Sequence, residues 1–309
     1  SYSVTGVQTC ALPILRQVAA ISDGREVSFD SSFVAAFRAA LNDAESDPAL
    51  LALALTLPTE TYLGEQLEVI DPAAIHQARE SLRRHLAEEL RDDFLRVYRR
   101  CREPGPYRPE PAAIGRRSLK NLCLTYLMSR EDADTLSLCL EQFEAADNMT
   151  DVLAALGCLV SSTDPRRNKA LARFREQWAD DPLVLDKWFL LQATSRRPEA
   201  LAEVRRLMAD SAFTIRNPNK VRALIGAFCQ GNPARFHAAD GEGYRFCADQ
   251  VLAIDPFNPQ VAARLLGALS RWRRYDGARQ GLMRKELERI LAAEGLSSDC
   301  YEIAAKSLA

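Results

Sequence analysis

Apolar residues recur at helical spacing along almost the whole chain, and strand-like alternation is scarce. In NPQVAARLLGAL (258–269), Val261, Leu265, Leu266 and Leu269 describe one buried stripe. Asn258 and Pro259 supply an N-cap and a proline at the first helical position. Gln260 and Arg264 lie four apart and share one face of that helix. A longer amphipathic run starts at Asp71–Pro72, continues to about Arg100 and is rich in i,i+4 charge pairs. PGPYRPEP (104–111) then breaks the pattern. Shorter helical patterns cover about 113–129, 131–145, 148–161, 165–179, 182–194, 198–209, 218–229, 242–253, 259–272, 275–293 and 297–308. The predicted class is all-α.

NPNKVRALIGAF (217–228) aligns with 258–269 without a gap, at an offset of 41 residues. NMTDVLAALGCL (148–159) keeps the asparagine and places Gly157 nine positions later, as Gly226 and Gly267 are placed. The alternative is chance similarity between capped helices, but three coincident spacings favour a repeat. A period near 40 built from two helices is the signature of a HEAT-like or armadillo-like α-solenoid, a superhelical array of antiparallel helix pairs. The glycines are expected to let neighbouring helices approach closely.

At 309 residues the chain has room for one large or two ordinary domains. A net charge of −2 gives no global attraction to nucleic acid or to an anionic membrane. The longest apolar stretch, ALLALAL (49–55), is too short to span a bilayer, and no charged n-region precedes a long apolar core. The eight cysteines lie at least sixteen positions apart, so no C-x-x-C pair exists. A reduced, cytoplasmic chain with thiols serving as small hydrophobes is the expectation.

No complete active site is visible. His76, His85 and His237 are never four apart, which excludes H-E-x-x-H. His76 and His85 sit in a charged helical pattern and are expected to face solvent. No G-x-S-x-G, P-loop or dinucleotide fingerprint occurs. DGEGY (240–244) lacks the alternating oxygen ligands of a calcium loop and reads as a helix–helix turn. The basic stretch RWRRYDGARQGLMRK (271–285) reads as a solvated helical face, and Trp178, Trp188 and Phe189 as packing anchors. Neither a metal nor a cofactor is expected in this chain.

Several segments, in order, resemble a known family: LTLPTETYLGEQLEVIDPAAIHQARE, DNMTDVLAAL, DKWFLLQAT, NPNKVRALIGAF, NPARFHAADGEGYRF and NPQVAARLL. They look like the C-terminal region of bacterial aminopeptidase N, the alanyl aminopeptidase family of zinc-dependent gluzincins. The resemblance runs from about residue 35 to the end and is closest from 144 onward. It implies a non-catalytic helical domain that caps the active site of an enzyme removing N-terminal amino acids from peptides. In the family, zinc is held by H-E-x-x-H in a separate catalytic domain, which also carries G-A-M-E-N; neither motif stands here. The implied partners are that catalytic domain and the peptide substrate, with no nucleic acid and no membrane. The resemblance also implies that Gln260 and Arg264 point into the active-site cavity and that Arg222 lines it. The residue-level alternative is that both arginines pair with acids of neighbouring repeats.

The first residues depart from the family. SYSVTGVQTCALPI (1–14) shows no helical period and resembles translated adapter sequence. Residues 1–14 are therefore expected to be non-native and joined to a truncated gene, leaving 15–309 as the α-solenoid domain. The runner-up function is a free-standing helical-repeat scaffold that binds another protein.

Overall fold

The computed structural model describes residues 2–103 and 105–309, with side chains from residue 11 onward. It is all-α. The helices are α1 (Tyr2–Ser22), α2 (Ser31–Asn42), α3 (Pro48–Ala54), α4 (Glu60–Glu65), α5 (Pro72–Glu89), α6 (Arg91–Arg100), α7 (Pro111–Leu127), α8 (Ala133–Ala145), α9 (Met149–Ser161) and α10 (Arg166–Gln177). They continue as α11 (Pro182–Ala193), α12 (Ala200–Leu207), α13 (Pro218–Val221), α14 (Ala227–Gly231), α15 (Pro233–Phe236), α16 (Glu242–Ile254), α17 (Pro259–Leu266), α18 (Gly277–Leu291) and α19 (Ser298–Leu308). Among the described residues there is no strand, only an isolated parallel bridge between Ile70 and Tyr275.

The chain divides into two compact units, one of residues 1–63 and 74–171, the other of 64–73 and 172–309. In the first, α7 packs against α3, α6 and α9, and α8 pairs with α9 across a short turn. Its core centres on Phe94 stacked on Tyr126 at 4.6 Å, with Phe37 edge-on to both. The Tyr126 hydroxyl donates to Leu55 O at 2.8 Å, which satisfies the one polar atom of that buried ring. In the second, α16 packs on α17 and α18, and α19 closes against α17 and α18. Phe228, Phe236, Phe246 and Tyr244 interlock there edge to face.

Proline after an Asp or Asn starts many of these helices, because its fixed φ suits the first turn and the preceding side chain satisfies free N–H groups. The caps expected at Asn148, Asn217 and Asn258 are all present, accepting from Asp151 N, Asn219 N and Val261 N.

Three expectations need correction. The run from 71 to 100 is two helices, α5 and α6, separated at Leu90, whose backbone (φ −117°, ψ 20°) leaves the helical region. Two of the glycines aligned by the repeat, Gly226 and Gly267, are not close helix contacts. A Cβ on Gly267 would meet nothing within 4 Å, and one on Gly226 would meet only a carbonyl of its own helix at 3.7 Å. Intimate approach occurs instead at Gly115, where a Cβ would lie 3.0 Å from Ala49 N, and at Gly243, where it would overlap the Phe236 carbonyl. Finally, the segment read as lacking a helical period lies within α1, and Ala11 and Ile14 are buried. The side chains of residues 1–10, the greater part of the expected non-native segment 1–14, lie outside the described residues.

Candidate functional site

Three helices of the second unit share one kind of start. Asp181 accepts from Leu183 N and Val184 N, and Asn217 and Asn258 cap α13 and α17 in the same way. Side chains then tie these helices together. The buried Lys220 ammonium donates to Pro182 O and to Asp186 Oδ1, each at 2.7 Å, and lies 5.6 Å over the Phe189 ring. Asn232 donates to Ala193 O and Ser195 O at 3.0 and 2.8 Å, which fixes the far end of α11. Gln230 Nε2 donates to Arg264 O at 3.3 Å and joins α14 to α17.

The exposed flanks of this set carry the residues singled out from the sequence. Arg222, Gln260 and Arg264 are all exposed. Arg222 Nη2 donates to Asn219 Oδ1 at 2.8 Å, and no described acid pairs with either guanidinium. The pairing with acids of neighbouring repeats, considered from the residues alone, is absent among the described residues. Arg222 also opens a π-helical turn, Arg222–Gly226, between α13 and α14. One such turn inside a helix re-aims the side chains after it and is found often where a helix serves function. Nothing in the apolar periodicity of 217–228 signals it.

The other candidate groups resolve into structure. His237 is buried; its Nδ1 lies 2.9 Å from the Tyr244 hydroxyl and its Nε2 3.0 Å from that of Tyr275, against whose ring it stacks. Burial, with the Arg279 guanidinium adding repulsion, pushes its pKa down to about 3. Neither His76 nor His85 faces open solvent as expected: His85 stacks on Phe29 at 5.0 Å, and His76 Nδ1 meets Glu60 Oε1 at 2.7 Å. DGEGY forms the expected turn, with Gly241 at φ +69° preceding α16.

The basic stretch is a solvated face only in part: Arg271, Arg273, Arg284 and Lys285 are exposed, but several of its guanidiniums are tied to other elements. Arg273 donates to Ser307 O and Leu308 O, Arg274 to Leu67 O and Arg279 to His237 O, while Arg271 pairs with Glu65. Trp188 and Phe189 are buried anchors, as expected, and Trp178 packs against Phe174. Seven cysteines are buried with free thiols.

Among the described residues, one set of side chains could hold a metal. Glu60, His76 and Glu80 bring three ligand atoms within 4.8 Å of one another. His76 and Glu80 reach that point from successive turns of α5. Glu80 Oε1 is already met by Arg83 at 2.7 Å and Arg79 at 3.5 Å, however. Two guanidiniums beside the cluster oppose a dication electrostatically. The set does not fit the zinc chemistry that the resemblance implies.

Comparisons with known proteins agree with this architecture. Residues 5–309 match the family described as a domain of unknown function (DUF3458_C), ARM repeats. Aminopeptidase N of Escherichia coli strain K12 is 44% identical over 292 residues, which cover 94% of this chain and 33% of that protein. Aminopeptidase N of Caulobacter vibrioides is 43% identical over 269 residues, covering 87% and 31%. A crystal structure of Legionella pneumophila aminopeptidase A in complex with aspartic acid superposes with a TM-score of 0.87 at 32% identity, covering 96% of this chain and 35% of that one. The chain thus spans about a third of the length of the relatives it matches and corresponds to a C-terminal part of them. By its match from residue 5 to residue 309, the chain belongs to the DUF3458_C family of ARM-repeat domains.

Proposed function

We propose that this chain is the non-catalytic helical domain of a zinc aminopeptidase, which caps the active site and controls the access of peptides to it. The zinc and the hydrolytic residues then belong to the part of such an enzyme that these 309 residues do not include. The partners are that catalytic domain and the peptide, and the setting is the cytoplasm. Among the described residues no helix is long and apolar enough to cross a membrane.

The observation that carries this reading is the exposed set Arg222, Gln260 and Arg264, held on interlocked helices and free of acidic partners among the described residues. Arginine donors and an amide in such a position suit peptide carbonyls or a terminal carboxylate. The test is Arg264→Ala in an enzyme that joins this domain to its catalytic part. A hydrogen bond to a charged group contributes about 1.5–3 kcal/mol, so kcat/KM should fall roughly ten- to a hundred-fold. Unchanged kcat/KM would remove Arg264 from the substrate's path and leave a helical scaffold for another protein as the better account.

A further inference from the structure

The first unit contains a polar pocket of about 220 Å³. Its walls are the end of α6, residues 105–107, the middle of α7 and the turn between α8 and α9. Charge is layered within it. At the floor, Lys120 Nζ meets Asp151 Oδ2 at 2.6 Å, with only 9% and 6% of these side chains exposed. Three of the four lone-pair sites of the Asp151 carboxylate are taken, by Lys120, Asn121 and Asn148. The ammonium of Lys120 has three N–H bonds, one of them used here. Arg117 stands beside it, bonded to Glu103 at 3.1 Å and lying 4.7 Å over the Tyr107 ring. The floor therefore offers unused cationic N–H donors beside two carboxylates, Asp151 and Glu103, that each already accept three hydrogen bonds.

The rim carries more carboxylates than cations, Glu141 and Asp147 against Arg102. Glu141 and Arg102 pair there at 3.0 Å, both about half exposed. Asp147 lies nearby, its Oδ2 accepting from Tyr107 N at 2.7 Å. The lining also includes Ala145, Ala146 and Tyr98. A ligand matched to this layering carries a carboxylate at one end and an ammonium close to it, with a modest apolar group. The volume is below the ~300–1,000 Å³ typical of sites for drug-sized ligands, which points to a single small molecule. We infer that this pocket binds a free α-amino acid, carboxylate toward Lys120 and Arg117 and ammonium toward Glu141.

Titration calorimetry on this chain tests the inference with L-leucine, 4-methylpentanoate (no ammonium) and 3-methylbutylamine (no carboxylate). Saturable binding of L-leucine, at least about ten-fold tighter than either half-molecule, is expected from the loss of one charged contact in each. Two rim variants, exposed enough to leave the fold intact, then act in opposite directions. Glu141→Gln should weaken L-leucine by about ten-fold. Arg102→Gln, which frees the Glu141 carboxylate, should tighten it. Equal affinity for L-leucine and 4-methylpentanoate would reduce the pocket to an anion site and overturn the assignment. So would the absence of saturable binding, or indifference of L-leucine affinity to Glu141→Gln.

Discussion

The buried His237 makes the stability of the second unit depend on pH in a predictable direction. Its pKa is lowered from 6.5 to about 3 in the native chain, because its ring is buried between two tyrosine hydroxyls with Arg279 close by. Between these values the unfolded chain takes up a proton that the native chain refuses. Stability therefore rises with pH through this window and is lost as pH falls from 6.5 toward 3. The full separation corresponds to about 4–5 kcal/mol, and the part lost between pH 7 and pH 5 is about 2 kcal/mol. The three tryptophans, Trp178, Trp188 and Trp272, all lie in the second unit, so urea melts followed by their fluorescence report on it. The midpoint should drop by about 1 M urea between pH 7 and pH 5. Asp276, which pairs with Arg279, titrates in the same neighbourhood and must be separated from the histidine. His237→Gln does this, since an amide can face both hydroxyls but does not titrate. The variant should be less stable at pH 7 yet lose about 2 kcal/mol less on going to pH 5. Equal losses in the two proteins would refute the assignment of the pH dependence to this ring.

Three further outcomes are expected. Gly243→Ala should cost more than about 3 kcal/mol, because the Phe236 carbonyl leaves no room for a methyl group; Gly267→Ala, at an ordinary helical φ of −54° and in open space, should instead stabilise by about 0.4–1 kcal/mol. Deleting residues 1–10 should leave the melting temperature nearly unchanged, whereas Ile14→Ala, at a fully buried site, should cost about 2–5 kcal/mol; a large drop from the deletion would make the segment a native element. The purified chain should contain no stoichiometric zinc and should not hydrolyse an alanyl arylamide; zinc that is lost in His76→Ala would establish the Glu60–His76–Glu80 cluster as a metal site.

What the sequence made legible follows from what periodicity and caps encode. The stripe Val261, Leu265 and Leu266 gave α17, with Leu269 in a 3-10 turn after it, and Asn148, Asn217 and Asn258 gave three helix starts, because both signals are local. Features decided by contacts between distant residues were hidden. The break at Leu90 and the π-helical turn at Arg222–Gly226 interrupt helices whose apolar spacing continues across them. Gly226 and Gly267 looked equivalent by spacing, yet the glycines that admit a neighbouring backbone are Gly115 and Gly243, the second in the stretch read only as a helix–helix turn. His237 gave no signal either, since the tyrosines that hold it come from positions 7 and 38 residues away.

The arginines show the same division between what a local pattern reveals and what only the fold decides. By composition, the stretch 271–279 and the helices around Arg222 and Arg264 are all merely basic. In the fold, Arg273, Arg274 and Arg279 spend their donors on backbone carbonyls of other elements, and such carbonyls at helix ends need them. Removing one of these guanidiniums leaves an acceptor unsatisfied and should be read as lost stability, about 1–3 kcal/mol where the site is buried. Arg264 is different: its side chain is exposed and meets no described acid, and the bond it contributes to packing, from Gln230, is made through its backbone oxygen. Arg264→Ala keeps that bond. Its stability should stay within about 0.5 kcal/mol of the parent, so any loss of peptide turnover in the whole enzyme is a loss of substrate contact. The same substitution that falls on architecture at Arg279 therefore tests the proposed substrate contact at Arg264.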